Sequence, residues 1–179
     1  MINLRRIHLI FSWLRTQLIY RWFFKKIGLS SVIFGPLIAP NNLHNVLIGN
    51  NVRILPGARI ELNPSFKNNN LPIVEIRDNA NIGQKFFLSA SENIFIGKNI
   101  LFSDNVALIT DTHIHDKNSD PINSGYEGKE IILRDFTTIY RNSTIMGGST
   151  MNEHSVLGAN SILKESIKRN AFLLAILHL

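Results

Sequence analysis

Apolar residues fall at every sixth position from Leu133 to Leu163: Leu133, Ile139, Ile145, Met151, Leu157 and Leu163. Four residues after each stands a companion, Thr137, Ser143, Ser149, Ser155, Ser161 and then Ile167. With 45% of the chain apolar, six hits in one register are a chance event of about 1%. A period of six belongs neither to a helix nor to a simple amphipathic strand. It describes a short strand, a corner and another short strand, with one large side chain turned inward per strand. A fixed repeat of this kind predicts a β-helix.

The pattern recurs upstream in separate registers. Ile48, Ile54 and Ile60 form one block. Ile76, Ile82 and Leu88 form a second, with Ala80 and Phe86 as companions. Ile96, Phe102 and Leu108 form a third, with Ile100 and Val106. Ile-Gly recurs at Ile48-Gly49, Ile82-Gly83 and Ile96-Gly97, where a corner demands positive φ or close backbone approach. Asn50-Asn51 and Asp78-Asn79 suit left-handed turn backbone. One such turn cannot bury its own apolar row, so the turns must stack. The blocks are out of register with one another, so loops intervene: the polar Pro64-Ser65-Phe66-Lys67-Asn68-Asn69-Asn70, and a longer excursion between Leu108 and Leu133. Long excursions from a regular solenoid are usually functional or disordered.

Residues 1–26 read as helix. No Gly or Pro precedes Gly28, and Leu4, Ile7, Phe11, Leu14, Leu18 and Trp22 follow helical spacing, accompanied by Arg5, Arg6, Arg15, Arg21, Lys25 and Lys26. The longest uncharged run, residues 7–14, is too short to span a bilayer. It is also short for a signal-peptide core, and no small-residue cleavage site follows. Two compatible roles remain: a cap on the open end of the β-helix that packs on a neighbouring subunit, or an interfacial helix on an anionic membrane. The chain divides into a basic helical segment (1–28), a β-helix (29–170) and an apolar tail (171–179).

The net charge of +6 favours anionic partners: a membrane surface, a phosphate-bearing cofactor or nucleic acid. No nucleic-acid-binding signature accompanies it, so nucleic acid is not expected. The absence of cysteine excludes disulfides and thiolate metal sites, and fits a reducing cytosol.

Asp111-Thr112-His113-Ile114-His115-Asp116 stands where the third block ends and the long excursion begins. In extended backbone Asp111, His113 and His115 share one face. A histidine flanked by carboxylates can serve as a general base near neutral pH. Elsewhere the same pattern would be a polar loop start.

The Ile-Gly repeats, the Asp-x-His at the head of a loop, and Asp120-Pro121-Ile122-Asn123 before the repeats resume resemble the left-handed β-helix (hexapeptide-repeat) acyltransferases. The likeness is greatest to the branch that acetylates sugars in lipopolysaccharide, capsule and exopolysaccharide biosynthesis, and it covers residues 33–170. The resemblance implies an all-β left-handed prism, a homotrimer with active sites between subunits, acetyl-CoA as acyl donor, a sugar or glycan acceptor and no metal. It implies a cytoplasmic enzyme, at most peripheral to the membrane's inner face. His113 matches the family's general base, with His115 as the alternative, and Asp111 would orient the imidazole or position the sugar. Arg141, Ala159 and Lys164 match family contacts to the cofactor.

The sequence also departs from that pattern. Thr138-Ile139-Tyr140 stands where Trp-Ile-Gly is usual, so the Tyr140 ring narrows the expected groove. Gly158-Ala159-Asn160-Ser161 replaces Gly-Ala-Gly-Ser, Lys164-Glu165 replaces Thr-Lys, and the apolar tail replaces Ala-Gly-x-Pro-Ala. Two further readings follow. One is an assembly protein that kept the prism and lost its chemistry. The other is a γ-type carbonic anhydrase that recruits His113, His115 and His154 to zinc.

Overall fold

The computed structural model describes residues 4–38, 40–114 and 125–173. Three parallel sheets form the faces of a prism. The first face stacks Lys26–Ile27, Val46–Ile48, Val74–Ile76, Ile94–Ile96, Ile131–Leu133 and Thr150–Met151. The second stacks Val32–Ile33, Arg53–Ile54, Asn81–Ile82, Leu101–Phe102, Thr138–Ile139, Val156–Leu157 and Phe172–Leu173. The third stacks Arg59–Leu62, Phe87–Ala90, Ala107–Ile109, Thr144–Met146 and Ile162–Leu163. The chain visits the faces in rotation and winds left-handed, against the usual right-handed crossover. A regular coil is eighteen residues, three hexapeptides, since Leu133 pairs with Met151.

The rungs are the core. All six from Leu133 to Leu163 are buried, as are those of the three upstream blocks. In the upper coils the companion positions are apolar, and Phe86 and Phe102 meet edge to face at 5.3 Å between ring centres. In the lower coils they are buried hydroxyls, several of which bond to backbone. Ser143 Oγ donates to the Gly158 carbonyl at 2.8 Å, and Ser149 Oγ to that of Leu163 at 3.1 Å. Buried polar groups are tolerated when bonded in this way, which explains Ser143, Ser149 and Ser155, whereas the Thr137 and Ser161 hydroxyls have no such partner among the described residues.

The corners rely on two devices. Asn51, Asn79 and Asn99 each take left-handed backbone, with φ of 55°, 62° and 55°. Their side-chain amides are linked from coil to coil at 2.9 and 3.1 Å. Phe136 and His154 continue that column in the same conformation, their rings stacked at 4.9 Å. The Ile-Gly glycines serve close approach rather than positive φ. A Cβ on Gly49 or Gly97 would strike backbone of the next coil, at the corner where Asp78 or Asp135 follows.

The N-terminal helix is shorter than its sequence pattern. It spans Leu4–Leu18, and a 3-10 turn at Tyr20–Trp22 leads into the first strand at Lys26. It caps the prism with polar side chains. Thr16 Oγ1 accepts from the Ile33 amide at 2.9 Å, and Arg15 donates to the carbonyls of Ile33 and Gly35. Gln17 donates to Gly28 and Ser31, Trp13 to Leu29, and the Tyr20 hydroxyl accepts from the Leu37 amide. These are backbone groups of the first coil, which has no coil above it. The apolar stripe Leu4, Phe11, Leu14 and Leu18 points away from the prism and is exposed.

At the other end, Phe172–Leu173 begins the apolar tail but still pairs in parallel with Val156–Leu157. Residues 174–179 lie outside the described residues.

The cap yields a prediction. Thr16→Val keeps shape but leaves the Ile33 amide without its acceptor, at a cost of about 1–3 kcal/mol. Leu18→Ser, on the outward stripe, stays within about 0.5 kcal/mol of the parent. Urea unfolding of the two variants measures the contrast.

Candidate active site

The coil-to-coil register locates the interruptions. Ile48 pairs with Ile76, Ile76 with Ile96, and Ile96 with Leu133, separations of 28, 20 and 37 residues against the regular eighteen. Within each block the rungs stay six apart, so every surplus falls after the third rung. The loops at 63–73, 91–93 and 110–130 therefore leave the prism along one edge, between the third and first faces.

On that edge the strand Asp111–His113 pairs antiparallel with Tyr126–Gly128, placing His113 opposite Tyr126. Their rings meet edge to face at 5.8 Å, and Tyr126 lies tilted on Phe66 at 5.3 Å. Lys67 Nζ donates to the Gly128 carbonyl at 2.8 Å and stands 3.5 Å from Glu92, which accepts from Ser65 Oγ. The root of the hairpin is fixed by buried Thr110. Its hydroxyl oxygen accepts from the Ser91 and Glu92 amides at 2.8 and 3.2 Å and faces the Asp111 carboxylate at 3.4 Å. The two upstream loops thus brace the hairpin of the third. Asp111 is half-buried and His113 exposed, two positions apart on one extended strand and so on one face.

His115 and Asp120-Pro121-Ile122-Asn123 lie outside the described residues. Arg141 and Ala159 occupy equivalent corner positions on adjacent coils, between the second and third faces, where the Asn160 amide donates to the Arg141 carbonyl at 3.0 Å. Both are exposed. Tyr140 is also exposed and is flanked in its column by Ser103 and Gly158, so its ring projects among small neighbours. Lys164 is not beside Arg141. It follows the third face in the last full coil, lining a groove of about 460 Å³ with Ile167 and Phe172. Within one chain His154 sits at the corner between the first and second faces, stacked on Phe136, away from the edge that carries His113. Among the described residues no three His, Cys, Asp or Glu side chains converge as a metal site.

Sequence reasoning missed Phe66, Lys67, Glu92 and Tyr126. Their signal was available only jointly, in the position of each surplus relative to the rungs.

No known family profile matches the chain. It is 24% identical over 106 residues to WbbJ of Escherichia coli K12, assigned by name to lipopolysaccharide biosynthesis as an O-acetyl transferase. That alignment covers 55% of this chain and 54% of WbbJ, so the chain spans about half the length of the curated relative it matches. Among solved structures it is similar to a variant of the N-acyltransferase AntD of Bacillus cereus, in complex with dTDP-4-amino-4,6-dideoxyglucose and coenzyme A. The TM-score is 0.73 at 17% identity, covering 90% of this chain and 84% of AntD. It is also similar to a hexapeptide-repeat acetyltransferase of Vibrio cholerae complexed with acetyl coenzyme A, with TM-score 0.56, 16% identity and 95% and 81% coverage. A maltose O-acetyltransferase of Clostridium difficile gives 0.54, 17%, 96% and 79%. The fold is that of the hexapeptide-repeat acyltransferases, the one the repeats resemble.

The aromatic brace is testable. Phe66→Ala removes an aromatic pair worth about 0.5–1.5 kcal/mol. Amide exchange at Thr112 and Glu127 should accelerate about two- to tenfold, with the amides of the rungs unchanged.

Proposed function

We propose that the chain transfers an acetyl group from acetyl-CoA to a sugar hydroxyl, with His113 as general base. The observation that carries this reading is the braced hairpin. The prism's interruptions gather on one edge, and there they hold an exposed imidazole on a fixed strand. In the proposed reaction His113 takes the proton of the acceptor hydroxyl as its oxygen attacks the thioester carbonyl. The tetrahedral adduct then expels the CoA thiolate, which recovers that proton from the imidazolium. Asp111 shares the face of His113 and would orient the ring or hold the sugar.

The donor would lie along the column of Tyr140, Arg141 and Ala159. A guanidinium there suits a phosphate-bearing cofactor. Lys164, at another edge, can join that contact only if neighbouring subunits contribute different edges to one groove, as the expected homotrimer would. The similarity to WbbJ supports a sugar of lipopolysaccharide biosynthesis as acceptor, and the resemblance of the repeats extends the reading to capsule sugars and a cytoplasmic enzyme.

The test is thiol release from acetyl-CoA with a panel of hydroxyl and amino sugars. His113→Ala should lower turnover about 10²- to 10⁴-fold with oligomer and melting temperature retained. Equal turnover removes His113 from the mechanism, and loss confined to His115→Ala transfers the role there. Turnover of amino sugars alone would replace O-transfer with N-transfer. Failure of every acceptor, with CoA still released by none, returns the chain to the assembly-protein reading.

Tyr140→Gly opens the groove beside Ser103 and Gly158. The KM for acetyl-CoA should fall several-fold with kcat little changed, as expected for a ground-state contact.

A further inference from the structure

The cap helix is inverted relative to an ordinary surface helix, which buries its apolar stripe and shows polar residues to water. Here Ser12, Thr16 and Gln17 are buried against the first coil, while Leu4, Phe11 and Leu18 face outward. Trp22, just beyond the helix, is 86% exposed. End-capping needs only the polar face. It leaves the outward stripe unexplained, and a contiguous exposed apolar surface of this kind marks an interaction site.

Charge decides the occupant. The first sixty residues hold eight of the nineteen Lys and Arg and none of the thirteen Asp and Glu. The whole positive excess of the chain therefore belongs to this end. Arg21, Lys25 and Lys26, on the turn and first strand that follow the helix, are all exposed. A second copy docked end to end would bring two such cationic ends together. An anionic surface with an apolar interior satisfies both features at once. Among the described residues no helix is long and apolar enough to cross a membrane, so the segment would lie in the headgroup layer with its apolar side down. Both tryptophans of the chain, Trp13 and Trp22, are at this end, and tryptophan favours that interface.

We infer that the N-terminal end of the prism is a docking face for an anionic lipid bilayer, seated through Leu4, Phe11, Leu18 and Trp22 and held by the surrounding cations. The inference is independent of the acyl-transfer reading, and no readout below depends on turnover.

The two tryptophans make the full chain its own probe. Mixed with vesicles of phosphatidylglycerol and phosphatidylcholine in equal parts, it should co-float with them, and its emission should shift to the blue. Partition into phosphatidylcholine alone should be at least about tenfold weaker, and added salt should weaken the anionic case. Phe11→Ser/Leu18→Ser should abolish flotation while circular dichroism and melting temperature stay at parental values, since both side chains already face solvent. Arg21→Gln/Lys25→Gln/Lys26→Gln should weaken flotation about tenfold or more. Equal partition into both vesicle types, or flotation unaffected by Phe11→Ser/Leu18→Ser, overturns the proposal. So does a blue shift that grows with protein concentration while vesicle binding is absent, which would assign the face to a second copy.

Discussion

Backbone pairing between successive coils is the constraint from which the rest of the molecule follows. Each strand of two to four residues is too short to stand alone, and its amides and carbonyls find partners in the coils directly above and below. Unpaired backbone groups are costly once buried. Three consequences arise from this one requirement. The rungs must stay in register, so stacked strands turn their large inward residues to matching positions, two per strand in Val46–Ile48 and Ile94–Ile96. The corners must bring coils close together, so they carry glycine at the tightest approaches and left-handed asparagine in columns. The N-terminal coil, which has no coil above it among the described residues, needs partners from elsewhere.

The N-terminal end shows how strongly that last demand shapes sequence. An open coil end presents carbonyls and amides, not only apolar side chains. The helix that closes it turns threonine, glutamine and arginine inward and gives up its apolar stripe to the outside. Periodicity showed that Leu4, Phe11, Leu14 and Leu18 share a side. It could not show which way that side points, because the habit of burying apolar stripes assumes the surface being covered is apolar. At the end of a β-helix hydrogen bonding dominates and reverses the orientation.

The body of the prism was legible in its rungs, but its end strands, Lys26–Ile27 and Phe172–Leu173, lay in segments read as helix and tail. Rungs six apart specify strand, corner and inward face without any knowledge of tertiary contacts, and the buried Ser series followed the same count. The location of the elaborated edge was legible in principle, since every extra residue between these blocks falls after a third rung. What could not be read was the contact of Phe66 with Tyr126 and of Lys67 with Glu92 and Gly128. Those groups are brought together by stacking loops from three different coils, and no local spacing encodes that.

Gathering interruptions on one edge also accounts for how a regular solenoid can carry an elaborate surface. Adding residues within a face would break pairing with two neighbouring coils, whereas adding them at a corner leaves all three faces intact. Once one corner has accepted an insertion, an insertion at the same corner of a neighbouring coil can pack on the first, as Phe66 does on Tyr126. An insertion at another corner would project alone into water. Cooperative loop packing therefore favours a single elaborated edge, and the imidazole of His113 stands on the hairpin that two coils' worth of loop brace from above. The precision of that site derives from the prism: Thr110, held by the Ser91 and Glu92 amides, transfers the register of the coils to the first residue of the hairpin.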